Sequence, residues 1–369
     1  MESVSQINFL DIIQKINYFL DLLNLDGRKL LMLSVTCKYI RETFFTIKHF
    51  PFDYIKLFKY KYKNILLNTI TFDTYCKFFT RMKCLTTIDL SDVNSLFGCT
   101  FTERRFGSHD SSRRELAKIV SSLTTLTRLD FSNNHHFVKL DCFPLLTNLT
   151  ELTIKNITTS KLKYRSTELN PILSLTRLRK LNISNNLDVR MYKEFLDNLS
   201  QLVNLNELIM SYNRLDKSET VALEYSLSKM PRITSLNISE TNLIAIKLSS
   251  MTQLQKLDVS RMENIHYSIF TSLTQLTSLN LSYINIKIIQ ILPILSCMSS
   301  LISLNLSYNQ ITSNDLLQLL PMFYRMKDLT TLDLSYNHLR PRKDRAILLQ
   351  EIPWLRTLNL CTNKPHKKE

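Results

Sequence analysis

Glycine is almost missing from this chain, with 3 among 369 residues. Loops that cradle phosphates depend on glycine, and neither GxxxxGKS/T nor GxGxxG occurs, so nucleotide binding through such loops has no support. Cysteine occurs at 37, 76, 84, 99, 142, 297 and 361, an odd number with no CxxC. That indicates neither a disulfide framework nor a zinc site and favours a reducing compartment. Long apolar runs are missing too. The most apolar early stretch, Phe19 to Val35, is broken by Asp21, Asp26, Arg28 and Lys29 and cannot span a bilayer. Glu2 and Asp11 stand where a secretory signal would be basic and then apolar, so none is expected. Histidines are scattered at 49, 109, 135, 136, 266, 338 and 366, and no Ser-His-Asp or Cys-His constellation can be assembled from their spacing. The expectation is a soluble chain, cytoplasmic with a nuclear location open, without catalytic residues, cofactor or metal.

What is present is a repeat. In Leu301-Ile302-Ser303-Leu304-Asn305-Leu306-Ser307-Tyr308-Asn309 the apolar residues stand at places one, four and six, and an Asn at nine. Leu304 and Leu306 alternate with polar neighbours, which predicts a short strand with these two leucines buried and Ser303 and Asn305 on the opposite face. The Asn can bond loop backbone that burial would otherwise leave unpaired. Eleven copies begin at Leu85, Leu126, Leu149, Leu178, Leu205, Ile233, Leu254, Leu276, Leu301, Leu329 and Leu355. One such unit cannot close a core, so copies must stack.

The pattern LxxLxLxxN, clear in Leu329 to Asn337 and Leu178 to Asn186, resembles the leucine-rich-repeat family. The resemblance implies an α/β fold: a leucine-rich-repeat horseshoe solenoid with a parallel concave sheet and convex helices and turns. Successive starts differ by 41, 23, 29, 27, 28, 21, 22, 25, 28 and 26 residues. Units of 27 to 29 have room for a helix. One is predicted over Asp188 to Leu199, and another after Asp216, where Asp216 and Glu219 form a capping box. Units of 21 to 23 should use a turn or 3₁₀ segment instead. The gap of 41 holds an insertion, Phe97 to Ser112, either a recognition loop or a bulge. Asn fills the ninth place at Asn134, Asn186, Asn213, Asn309, Asn337 and Asn363, whereas Ile157, Thr241, Met262 and Ile284 replace it.

Residues 1–48 do not fit the repeat and read as short helices. Leu30-Leu31-Met32-Leu33-Ser34-Val35-Thr36-Cys37-Lys38-Tyr39-Ile40-Arg41 resembles the second half of an F-box, and Ile12-Ile13, Ile16 and Tyr18-Phe19-Leu20 its first half; Phe9-Leu10-Asp11 stands in place of the family's opening Leu-Pro. The resemblance implies a small all-α F-box-like N-terminal segment that docks on the Skp-type adaptor of a cullin-RING ubiquitin ligase, with Leu20, Leu22 and Val35 as adaptor contacts. The other reading is a cap on the open end of the solenoid. Residues 49–84, dense in aromatics with Phe72, Tyr75, Phe78, Phe79 and Met82 at helical spacing, form a linker and cap, and residues 85–369 the repeats.

A formal net charge of +15 invites nucleic acid or an anionic membrane as partner. The cations are spread in modest clusters such as Arg340-Arg342-Lys343-Arg345, and no nucleic-acid motif accompanies them, so a solvated surface is the preferred reading. A partner protein is expected on the concave face. Places three, five, seven and eight of each repeat should point outward there, and the candidate contacts are Tyr212, Arg261, Tyr283, Asn305, Tyr308, Asp333 and Tyr336. The function this implies is a substrate-recognition adaptor, or else a cytoplasmic scaffold without a ubiquitin link. A third reading is a GTPase activator of the Ran type, whose members share the repeat type, although no motif of theirs is matched.

Overall fold

The computed structural model describes residues 49–50, 86–89, 91, 120–134, 141–157, 169–186, 192–243, 246–262, 265 and 267–364. The helices expected before residue 49, the aromatic stretch 51–84 and the insertion 97–112 lie outside the described residues. The chain divides into two compact units, Met1–Asp89 with Ser95–Thr125, and Leu90–Asn94 with Leu126–Glu369. In the first, strands β1 (His49–Phe50) and β2 (Thr87–Asp89) pair in parallel.

The second unit carries ten strands of three residues each, all parallel to their neighbours. They are β3 (Arg128–Asp130), β4 (Glu151–Thr153), β5 (Lys180–Asn182), β6 (Glu207–Ile209), β7 (Ser235–Asn237), β8 (Lys256–Asp258), β9 (Ser278–Asn280), β10 (Ser303–Asn305), β11 (Thr331–Asp333) and β12 (Thr357–Asn359). Each covers places three to five of a predicted repeat. The register sets the fourth-place leucines in line, Leu279 against Leu304 and Leu304 against Leu332, for example. Leu304 and Leu306 are each 1% exposed, and Asn305 is half-buried on the other face. The predicted strand phase is the observed one, and this unit is a leucine-rich-repeat solenoid.

Repeat length decides what covers the core. The capping box closes the start of α2 (Lys217–Ser228): Glu219 N–H donates to Asp216 Oδ1 at 2.8 Å, and Asp216 N–H to Glu219 Oε2 at 2.8 Å. The Glu219 N–H and the Ser218 hydroxyl hold the Asp216 carboxyl below its ordinary pKa. Before it, α1 (Tyr192–Asp197) runs into a 3₁₀ turn, burying Phe195, Leu196 and Leu199. Then come α3 (Ile288–Leu295), α4 (Ser313–Arg325) and α5 (Pro341–Glu351). The short units behave as their length predicts, with 3₁₀ turns at Phe143–Leu145 and Tyr267–Phe270 and no helix among the described residues between β7 and β8. The 29-residue unit shows a 3₁₀ turn, Asn170–Ser174, in its described part.

The ninth-place asparagines form a buried ladder. Asn309 Oδ1 accepts the N–H groups of Ile284 (3.1 Å) and Ile286 (3.3 Å), while its Nδ2 donates to the carbonyls of Leu281 (2.8 Å) and Leu306 (3.1 Å). Asn337 does the same for Asn309, Ile311, Leu306 and Leu334. Each Asn therefore serves the preceding repeat as well as its own. This explains how a repeat can lack the residue: Ile157 and Ile284 still find the Asn of the next repeat, Asn186 and Asn309. Where Thr241 takes the place, its hydroxyl donates to the Ile238 carbonyl, and neighbouring Asn242 accepts the Leu215 N–H at 2.7 Å.

The single tryptophan lies near the C-terminal end. Trp354 Nε1 donates to the Met326 carbonyl at 3.0 Å, and the Lys327 ammonium sits 3.6 Å from the Tyr324 ring centre and 4.1 Å from that of Trp354. Among the described residues no helix is long and apolar enough to cross a membrane.

Candidate functional site

The face of the sheet opposite the core begins with a correction. Place seven turns inward in most repeats: Ser132, Ser184, Ser211, Ser239, Ser307 and Ser335 are buried and Ser260 and Ser282 half-buried, while Lys155 and Cys361 at the same place are exposed. Where place five is Asn or Asp, its side chain accepts from the N–H two residues on, as Asn305 does from Ser307 (2.9 Å) and Asp333 from Ser335 (2.8 Å). A short polar side chain that bonds its own backbone two residues ahead makes an Asx turn. Expected contact residues Asn305 and Asp333 are thus floor groups. The second Asp333 oxygen is also taken, by Asn359 Nδ2 at 3.0 Å.

The turn throws the eighth residue outward in the left-handed conformation. Asn133, Asn156, Asn185, Tyr212, Glu240, Arg261, Tyr283, Tyr308, Tyr336 and Thr362 all stand at the eighth place with φ between 50 and 60°. Their backbone is pinned by the next repeat: Tyr283 N–H donates to Ser307 O, Tyr308 N–H to Ser335 O and Tyr336 N–H to Cys361 O. That conformation suits Gly, Asn and Asp and strains a bulky side chain. Three early repeats use Asn. Four later ones carry tyrosines, 42 to 56% exposed, where the fold would do better with Asn.

Those side chains join into one row across seven repeats. The Tyr308 and Tyr336 rings stack at 4.0 Å and 10°, and Tyr283 leans on Tyr308 at 5.5 Å and 48°. The Arg261 guanidinium lies 5.3 Å from the Tyr283 ring centre and 2.6 Å from the Glu240 carboxylate, which also takes the Tyr212 hydroxyl. At the other end Tyr336 bonds Thr362. Hydrogen bonding to Glu240 raises the pKa of Tyr212. Tyr308 donates to Tyr336, which raises the Tyr308 pKa, while accepting from Tyr308 and Thr362 lowers that of Tyr336.

The structure thus brings Tyr283, Tyr308, Tyr336 and Arg261 together and reaches Tyr212 through Glu240. Leu20, Leu22 and Val35 lie outside the described residues. Glu240 and Thr362 were missed by reading tyrosines alone. Reading the eighth place down every repeat, whatever the residue, would have found both.

The charge of the chain is not on this face. Five cations at the strand and turn positions (Arg128, Lys155, Lys180, Lys256, Arg261) meet six carboxylates (Asp130, Glu151, Glu207, Glu240, Asp258, Asp333). Arg128 pairs with Glu151 at 2.6 Å and Lys180 with Glu207 at 2.8 Å. Among the described residues no three His, Cys, Asp or Glu side chains are grouped to share a metal ion.

No protein-family model matches the chain, and no curated protein sequence does. Among solved structures it is similar to an internalin, inlF, from Listeria monocytogenes, with 19% identity over 76% of this chain and 81% of that one and a TM-score of 0.44. The TLR13-ssRNA13 complex matches at 19% identity over 80% of this chain and 42% of that one, with a TM-score of 0.46. The mouse RP105/MD-1 complex matches at 23% identity over 64% and 42%, with a TM-score of 0.42. The chain spans less than half the length of these last two.

Proposed function

We propose that this chain is a non-catalytic protein-binding module of the cytoplasm that holds its partner against the sheet face along the tyrosine row. The observation that carries this reading is the placing of four exposed tyrosines at left-handed positions that Asn fills in other repeats. Strained backbone kept where stability does not need it suggests a role in recognition. Tyrosine gives large, rigid contact area with a polar tip, and a surface of Tyr, Ser and Asn has the composition of protein-binding loops in antibodies. A nucleic acid suits the face less well. Its charges are balanced, and Tyr308 and Tyr336 already stack on each other at 4.0 Å, leaving no slot for a base.

Replacing Tyr283, Tyr308 and Tyr336 together by Asn should weaken partner binding by about tenfold or more, with a urea unfolding midpoint no lower than that of the parent. Quantitative capture with parent and variant, followed by titration of the partner retained only by the parent, makes the comparison. Equal retention by both would remove the row from the interface.

The F-box resemblance extends the proposal. Residues 7–45 would dock on a Skp-type adaptor through Leu20, Leu22 and Val35, and the held protein would be the one ubiquitinated by a cullin-RING ligase. A purified Skp-type adaptor should bind the full chain and not a chain lacking residues 1–48. If it binds neither, the chain is a scaffold whose first helices serve as a cap.

A further inference from the structure

Beside the tyrosine row lies a patch of charge that the fold does not need. Arg342, Lys343 and Arg345 in the first half of α5, and Lys364 beyond β12, are all exposed. Among the described residues none of these four has a carboxylate within 4.0 Å, although Arg340 reaches Asp344 at 3.9 Å. Local acids are already engaged. Asp344 is 1% exposed and accepts from the Ser313 hydroxyl at 2.6 Å and the Arg340 N–H at 2.7 Å. Asp333 is taken up by Ser335 and Asn359. Cations in the first turns of a helix also oppose its dipole, so helix stability does not account for them.

Lys364 adjoins the row, and the first turns of α5 follow Tyr336 in the same repeat. Lys364 N–H donates to the Asn337 carbonyl at 3.2 Å, the carbonyl of the residue following Tyr336, and Lys364 O lies 3.1 Å from His338 Nδ1. Tyr336 itself bonds Thr362. Lys364 stands two residues beyond Thr362, and Arg342 six residues beyond Tyr336.

We infer that this basic rim, Arg342, Lys343, Arg345 and Lys364, receives an acidic stretch of the partner polypeptide whose neighbouring apolar residues lie on Tyr283, Tyr308 and Tyr336. The inference rests on the row as a protein-binding face and adds the chemistry of what binds. Charge complementarity selects the occupant. The rim is uncompensated positive charge at one end of a face that is otherwise balanced, which suits a localised run of Asp and Glu. A phosphate backbone, charged at every step, would meet Glu240, Asp258 and Asp333 along the same face. Such a rim speeds encounter and sets orientation, and its effect falls with salt.

The test is fluorescence anisotropy at low and high salt on the full chain, with three probes: poly-glutamate, an acidic peptide with interspersed Phe, and oligouridylate. Substituting Arg342→Ser, Lys343→Ser, Arg345→Ser and Lys364→Ser together should weaken poly-glutamate binding about tenfold or more. Lys217→Ser with Lys247→Ser, two exposed cations elsewhere, should leave it unchanged. The Phe-containing peptide should outbind poly-glutamate on the parent and lose that advantage in the triple Tyr→Asn variant. Rim and control variants losing poly-glutamate equally would overturn the inference, and so would oligouridylate binding the rim more tightly than poly-glutamate. If the rim variant loses poly-glutamate while the Tyr variant keeps every partner, the rim stands and the row reading falls.

Discussion

Asn309→Ala should lower the free energy of unfolding by about 4 kcal/mol, more than most substitutions of a buried residue. The side chain is 2% exposed and serves two repeats at once. Its removal leaves the N–H groups of Ile284 and Ile286 without an acceptor and takes a donor from the carbonyls of Leu281 and Leu306. A buried donor or acceptor left unpaired costs about 1 to 3 kcal/mol, and the alanine cavity is too small to admit water to all four. Urea unfolding followed by Trp354 fluorescence reports on this region, because Trp354 is the one tryptophan and is anchored to Met326. Because each repeat leans on its neighbours, the fluorescence transition should also lose sharpness. A loss below about 1 kcal/mol would mean that the ladder is hydrated and contributes little.

Leu304→Ala should cost about 3 kcal/mol, from lost burial and the cavity left behind, while Asn305→Ala, one residue along, should cost about 1 kcal/mol. The contrast comes from the strand. Leu304 lies between Leu279 and Leu332 in a closed row and is 1% exposed. Asn305 faces the other way and contributes one Asx-turn bond to Ser307. Chemical denaturation of the two single variants settles the phase of the strand. Equal costs would place Asn305 in the core.

The two experiments probe features with different origins. The alternation around Leu304 is a local property: successive side chains on a strand point to opposite faces whatever lies beyond them. The capping box at Asp216 and Glu219 is equally local, since both partners sit within one turn. That no helix occurs among the described residues between β7 and β8 follows from residue count, as a unit of 21 residues has no room for one.

The sequence by itself therefore determined the repeat, its strands, the buried face of each and the positions of the exposed tyrosines. Tertiary structure decided what each of these touches. Arg261 meets Glu240 across 21 residues of chain, and Asn337 bonds Asn309 across 28; neither pairing exists until repeats stack in register. The burial of Ser184, Ser211, Ser239, Ser307 and Ser335, the left-handed backbone under Tyr308 and the stand-in of Thr241 and Asn242 for a missing Asn depend on that stacking. So does the location of charge: composition yields +15, but only the fold balances the sheet face and leaves Arg342, Lys343, Arg345 and Lys364 uncompensated beside it. Which face a side chain takes is set by the period of its own strand. Its neighbours are set by register and repeat length, which bring together residues that sequence keeps apart.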